Sequence, residues 1–389
     1  MRVLHFLKTS VGASWGLRQM RELVQLGVDV HVALPDGPLV DAYRSVGVVP
    51  HLLDASINLR NPFANFATFS AIRKLVKEVE PQIIHSHFVA TTLALRFALG
   101  RNHPVKRIFH VPGPLHLEHP FFRTAEILSA SAGDFWLASC EWTRDRYIQS
   151  GIDASRLGLV YYGVDLPDKP TGRTGLLRQE YGVDPSTPVV GNVAYFYAPK
   201  RYLGQKVGLK GHEDLIAAID IAGHSIPGLT CFLVGGPWAG ADSYFEQVKQ
   251  LADKVTNARI ILTGYRSDIY DIYQDFDVAV HPSHSENVGG AVESLLHEVP
   301  TIATNVGGFP DLVRPGETGW LVPMQSPEAL ADSIIEALQK PDEALKFAKA
   351  GRHRVEQLLD VRLNAKDIFS YYQSLLATGL LTPPSEVVS

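Results

Sequence analysis

Short apolar runs alternate with amphipathic stretches along almost all of this chain, and the alternation begins afresh near its middle. In the first half, runs at 3–7, 28–34, 82–85, 107–109, 135–138 and 157–161 read as strands, with helical stretches between them, clearest at 14–26 and 66–79. Strands separated by helices make a parallel sheet covered on both faces, because each parallel crossover needs a dozen or so residues and a helix supplies them. Ser14 reads as the cap of the 14–26 helix and Gly27 as the residue that closes it. A Gly- and Pro-rich stretch, 162–185, then reads as a linker, after which strands recur at 189–193, 230–234, 260–263, 278–281 and 301–303. The prediction is an α/β chain of two doubly wound, Rossmann-like domains facing a central cleft, with ligands at the carboxyl ends of the strands. The domains are set at 1–165 and 166–360, with a flexible tail at 380–389.

Length and charge narrow the function. A chain of 389 residues is too long for one typical domain, and 46% hydrophobic with 20% charged residues is ordinary for a globular protein. No apolar run approaches the roughly 18 residues of a membrane span, and MRVLHFLKTS holds too short an apolar stretch for a signal peptide. Cys140 and Cys231 fall in different halves in apolar surroundings and read as buried thiols of a cytoplasmic protein. Residues 1–165 carry 17 basic against 14 acidic side chains, the remainder 19 against 27, which excludes the strongly basic patch that nucleic acid demands. Arg60, Phe63, Phe66, Phe69, Arg73, Lys74 and Lys77 mix aromatic and basic groups around one helix, a composition suited to peripheral contact with an anionic membrane. A core-facing aromatic stripe with a solvated basic edge is the competing reading.

The segment HPSHSENVGGAVESLLHEVPTIATNVGG, 281–308, carries the most chemistry. A strand runs into a Ser/Asn/Gly turn and a helix follows, so the amides of Gly289, Gly290 and Ala291 fall at a helix start, where they lack intrahelical acceptors and can face an anion. Glycine lets the backbone approach a diphosphate closely. Glu293, one turn further in, is placed to accept from ribose hydroxyls. In the first half, His85 and His87 stand two apart at a strand end and so share a face, but one pair with no evident third ligand is weak evidence for zinc, and no metal site is assigned. His87 is read as lining the cleft on the side of the first domain, with a satisfied core imidazole as the competing reading. After the first strand the chain reads KTSVGASW, which is not the G-x-G-x-x-G turn of a dinucleotide-binding dehydrogenase.

The stretches SASAGDFWLASCEWTRDRYIQSGIDASRLGLVYYGVD, GLKGHEDLIAAI, FLVGG and LTGYRSDI, with 281–308, resemble the retaining glycosyltransferases of family 4, of the GT-B fold, in the right order over nearly the whole chain. The resemblance implies a nucleoside diphosphate sugar bound mainly by the second domain and an acceptor bound mainly by the first. The acceptor would be a saccharide, a lipid-linked or a small molecule. No cofactor or metal is implied, and a last helix at about 361–379 returns to the first domain.

Carried over position by position, the resemblance makes Lys210 the contact to the donor diphosphate, where a cation stabilises the departing charge. The family's preceding arginine is absent from its usual setting, and Lys200, or Arg201, substitutes for it in AYFYAPKRYLGQK. Tyr265 and Arg266 match the position beside the nucleotide base, and Gly12 the loop that closes over the diphosphate. The histidine that contacts the transferred sugar falls on His116 or on His110, because a direct overlay places Pro112 there. Asn287, Val288, Gly289, Gly290 and Ala291 form the donor-binding turn. Family members carry two glutamates eight positions apart; here Glu293 has Ser285 at that distance, and Glu286 stands seven away, so the turn must bend for Glu286 or Asn287 to reach the sugar. The implied activity is transfer of a sugar to a hydroxyl in glycan or glycoconjugate synthesis. An epimerase on the same fold and a noncatalytic nucleotide-sugar-binding subunit are the alternatives.

Overall fold

The computed structural model describes residues 1–58, 61–201 and 204–381. Contacts divide the chain into two units, Met1–Asp165 with Leu358–Ser389, and Leu166–Gln357. Unit 1 holds a parallel sheet of β1 (Arg2–Phe6), β2 (Asp29–Leu34), β3 (Val49–Leu52), β4 (Ile83–Ser86), β5 (Lys106–His110), β6 (Asp134–Ala138) and β7 (Leu157–Leu159), in the order β3-β2-β1-β4-β5-β6-β7. Strand order reverses between β1 and β4, the place where such sheets bind ligands. Successive residues of β1 serve opposite faces: Val3 joins Val30, Val32, Ile83 and Ile108 in one core, and Leu4 joins Ala33, Ile84 and Leu95 in the other. Helix Val361–Thr378 closes the first face with Ala365, Ile368, Tyr372 and Leu375, spaced along one helical stripe. Each such apolar side chain contributes about 1.5–3 kcal/mol when fully buried.

Unit 2 holds β8 (Val189–Val193), β9 (Thr230–Val234), β10 (Arg259–Gly264), β11 (Val278–His281), β12 (Thr301–Thr304) and β13 (Trp320–Val322), in the order β10-β9-β8-β11-β12-β13, again all parallel. Val190, Cys231, Leu233, Val278, Val280 and Ile302 fill one face, and Val189, Phe232, Val234 and Ala279 the other. Cys140 and Cys231 are buried thiols in different units. No helix among the described residues is long and apolar enough to cross a membrane.

Four local expectations change. The edge strands β3 and β13 are not marked by the sequence pattern; β3 contains Pro50 and exposes Val49 and Leu52, so no buried alternation signals it. The cap of helix Ser14–Gln25 is Ala13, and Ser14 is its first helical residue. Within the expected linker, Leu176–Glu180 is a helix of unit 2, held where Asp275 accepts from the amides of Gly175 and Leu177 at 2.6 and 2.8 Å. That bond joins residues about a hundred positions apart, which composition does not reveal. Leu381, placed in the tail, is buried in unit 1, its amide donating to Ser155 O at 3.0 Å; the rest of the tail, from 382, lies outside the described residues.

Candidate active site

In unit 2 the turn 282–288 leaves β11 and enters helix Gly289–Leu296. Gly290 packs its backbone on the buried ring of His281, where a Cβ would come within 2.7 Å of Nδ1. A second loop is pinned to the same turn: His284 N donates to Leu209 O at 2.8 Å, and Gly211, at φ +66°, lies so near Pro282 O that a Cβ would reach 2.0 Å from it. Gly211 caps helix His212–Gly223, and Asp214 on its first turn pairs with His284 at 2.5 Å. Lys210 therefore emerges beside the turn, and its ammonium pairs with the Glu286 carboxylate, both groups largely covered. Asn287 N also donates to Glu286 Oε1 at 3.1 Å, bending the turn around this carboxylate. Burial, with Lys210 adding to it, holds His212 and His281 down at about 3, so both imidazoles stay neutral.

The other candidates of unit 2 are placed as follows. Val288 is buried beneath the turn and Gly289 is exposed at the helix start, with Gly290 and Ala291 completing the first turn of amides. Glu293 is exposed on that helix, and Tyr273 donates to its Oε2 at 3.4 Å. Lys200 is half-buried in the loop beyond β8, with its amide donating to Gln205 Oε1 at 2.9 Å. Tyr265 is 61% exposed. Arg266, expected beside the base, pairs its guanidinium with Asp268 at 2.7 and 2.9 Å and with Glu180 at 2.7 Å.

Of the two readings of His87, the core imidazole is the one its burial fits: it is wholly buried, together with His5, His85 and His110. His5 supplies the third neighbour that spacing did not show, since β1 and β4 pair in register at His5 and His85. One ligand atom from each of His5, His85 and His87 lies within 4.8 Å of the others. The ring planes of His5 and His85 lie within 12° and 16° of the His87 plane, and His5 and His87 hydrogen-bond to each other. Tyr162 donates to His110 O at 3.0 Å, so it accepts from His87 Nδ1 at 2.8 Å, and His87 Nε2 accepts from His5 Nδ1 at 3.0 Å. His85 Nδ1 bonds the Tyr372 hydroxyl. Burial keeps all four rings neutral, His5 and His110 at about 3.

Neither sugar-contacting candidate is an exposed imidazole. His110 donates Nε2–H to Val160 O at 2.8 Å from inside the core. His116, half-buried on the short helix Leu115–Glu118, lies 3.3 Å from the Tyr147 hydroxyl. Gly12 is exposed in the loop beyond β1, at φ +67°, a conformation that favours glycine.

Comparison with known proteins follows the two units. Residues 17–167 match the family described as Glycosyltransferase Family 4, and 201–354 match Glycosyl transferases group 1, together most of the chain. The chain belongs to the family 4-like GT-B glycosyltransferases. Among curated relatives of this family, EpsD of Bacillus subtilis strain 168 is 25% identical over 387 residues, covering 90% of this chain and 91% of its own. The D-inositol 3-phosphate glycosyltransferase of Segniliparus rotundus is 27% identical over 235 residues, 59% of this chain and 50% of its own, so here the match spans half the relative's length. Two solved GT-B structures share the fold: Anabaena HepE in complex with UDP (TM-score 0.79, 19% identity, 96% of this chain and all of that one) and the sucrose-phosphate synthase of Thermosynechococcus elongatus (TM-score 0.76, 20% identity, 97% and 99%).

Proposed function

We propose that this glycosyltransferase moves a sugar from a nucleoside diphosphate donor to an acceptor hydroxyl, with retention at the anomeric carbon. The observation that carries this reading is the Lys210–Glu286 pair, which joins residues 76 positions apart beside the glycine-opened helix start. A cation next to first-turn amides suits a diphosphate, and a carboxylate in the same turn suits sugar hydroxyls. A bound donor replaces each partner of the pair: Lys210 turns to phosphate oxygens and Glu286 accepts from the sugar. Glu293 takes the ribose hydroxyls, Lys200 adds a second cation, and unit 1 serves the acceptor side.

As the bond from C1 to the phosphate oxygen breaks, its electron pair passes to the diphosphate. The acceptor oxygen bonds C1 on the same face, and its proton moves to the departing phosphate oxygen, so no separate base is required. Lys210 and the amides of Gly289, Gly290 and Ala291 stabilise that charge more in the transition state than before it. Because these groups supply the positive field, the reaction is read as metal-independent; a cytoplasmic setting and service in glycan or glycoconjugate synthesis belong to the same proposal. Solved relatives in complex with UDP and with UDP-glucose support a nucleotide-sugar donor.

The test is a donor panel assayed with Lys210→Ala. The variant is expected to keep its circular dichroism spectrum and lose about 10²–10³-fold in turnover, the scale of one lost charge-stabilising donor. The wild-type activity is expected to survive exhaustive chelation. Wild-type turnover in the variant, an inverted product, or sugar interconversion without acceptor would each overturn the reading.

A further inference from the structure

Lys210 stands in GLKG, 208–211, a loop with glycine at both ends, so whatever fixes the two glycines sets the place of its ammonium. At the second, Gly211 lies on Pro282 O, and Leu209 O accepts from His284 N at 2.8 Å. At the first, the contact is with side chains. Gly208 lies against Tyr244, where a Cβ would fall 1.8 Å from the hydroxyl oxygen, and its amide donates to Glu213 Oε1 at 3.1 Å. The Tyr244 hydroxyl donates to the other oxygen, Glu213 Oε2, at 2.9 Å. One carboxylate thus holds the loop backbone with one oxygen and a core side chain with the other.

Each partner in this clamp is itself fixed. Tyr244, on helix Asp242–Ala252, is buried in the core that holds Leu215, Ile219 and Val248. Burial, with the Glu213 carboxylate adding to it, raises the pKa of its hydroxyl, which therefore stays a donor. Glu213 lies in the first turn of helix His212–Gly223, where a carboxylate suits the positive end of the helix dipole. The same turn is anchored on both sides of Glu213: His212 is wholly buried and stacks on Phe196 with ring centroids 3.9 Å apart, and Asp214 pairs with His284 of the glycine turn at 2.5 Å. Neighbouring carboxylates of one helix start thus serve different loops, Glu213 the loop of Lys210 and Asp214 the turn of Glu286. Lys210 and Glu286 meet where both loops are tied to that helix.

We propose that Glu213, braced by Tyr244, is a positioning residue for Lys210: it holds the Gly208 end of the loop so that the ammonium faces the departing diphosphate. This rests on the transferase reading and adds Glu213 and Tyr244 to it. A misplacement of about 1 Å can cost on the order of 10²-fold in rate, so a hydrogen bond to this loop backbone weighs as much as a contact to substrate. A carboxylate that only stabilised the helix start would cost the same factor in turnover whether or not Lys210 is present.

The experiment is a double-mutant cycle on the full chain, read as kcat with the donor selected from the panel. Glu213→Ala is expected to keep its circular dichroism spectrum and to lose about 10- to 100-fold in kcat. In a Lys210→Ala background the same substitution is expected to cause no further loss, because the loop then has no ammonium to place. Glu213→Gln, which keeps an oxygen for the Gly208 amide, is expected to recover most of the turnover. Tyr244→Phe is expected to give a smaller loss that likewise vanishes beside Lys210→Ala, and it carries the cycle if Glu213→Ala fails to fold. Wild-type kcat in a folded Glu213→Ala, or the same fold loss with and without Lys210, would overturn the positioning role while leaving the transferase reading in place. Wild-type turnover in Lys210→Ala alone would overturn that reading itself.

Discussion

At the residue scale, Lys210 and Glu286 form an ion pair beside the glycine turn. A diphosphate must displace Glu286 from Lys210, so the carboxylate competes for the cation that the donor needs. Glu286→Gln is therefore expected to lower turnover by about 10²-fold while nucleoside diphosphate affinity is kept or increased, because Lys210 is released and one negative charge removed. Glu293→Gln is expected to weaken nucleotide binding itself. Initial rates and calorimetry on the two variants read the difference, and a fully active Glu286→Gln enzyme would show that carboxylate to be only a surface charge. The missing first glutamate at Ser285 was visible by counting; that Glu286 folds back onto Lys210 depends on Gly211 nesting against Pro282, a contact between distant segments.

At the element scale, helix Asn65–Val79 resolves a set of side chains that composition left together. Ile72, Leu75, Val76 and Val79 are buried, and Phe69 packs partly against that core, 6.3 Å from Phe97. Arg73 donates to Ala98 O at 3.1 Å, which ties its guanidinium to the neighbouring helix. Phe63, just before this helix, and Phe66 on it stay 81% and 69% exposed, and Arg73, Lys74 and Lys77 are exposed on the helix; Arg60 lies outside the described residues. Among the described residues of the set, these exposed side chains are the ones that can meet a lipid surface. Flotation with anionic liposomes is expected to recover more protein than flotation with neutral ones, and Phe66→Ser is expected to reduce that recovery; equal recovery from both lipids would remove the membrane contact.

At the scale of the whole molecule, the buried imidazoles of unit 1 couple its stability to acid. His5 and His110 fall from 6.5 to about 3 on folding, mainly by burial, so between those values the unfolded chain binds more protons than the folded one. Stability conferred by the neutral rings is present above about 6.5 and is lost as pH falls towards 3, with each ring contributing a slope of at most about 1.4 kcal/mol for every pH unit crossed. Urea midpoints, with unit 1 followed through Trp15 and Trp136, are expected to decline across that window. His110→Asn should flatten the decline, and an unchanged slope would place the acid sensitivity elsewhere.

What the sequence determined by itself was whatever repeats locally: strand and helix alternation, the restart near the middle, the glycine turn before helix Gly289–Leu296, and the motif order that marks a GT-B glycosyltransferase. Those features depend on periodicity and on neighbours a few positions apart. Tertiary structure alone decided which candidates meet. It joined Lys210 to Glu286, took Arg266 into ion pairs with Glu180 and Asp268, and buried His87 and His110 with His5, a residue no local pattern had singled out. Parallel strands adjacent in space are separated in the chain by whole crossovers, so the side chains at their carboxyl ends become neighbours only when the sheet forms.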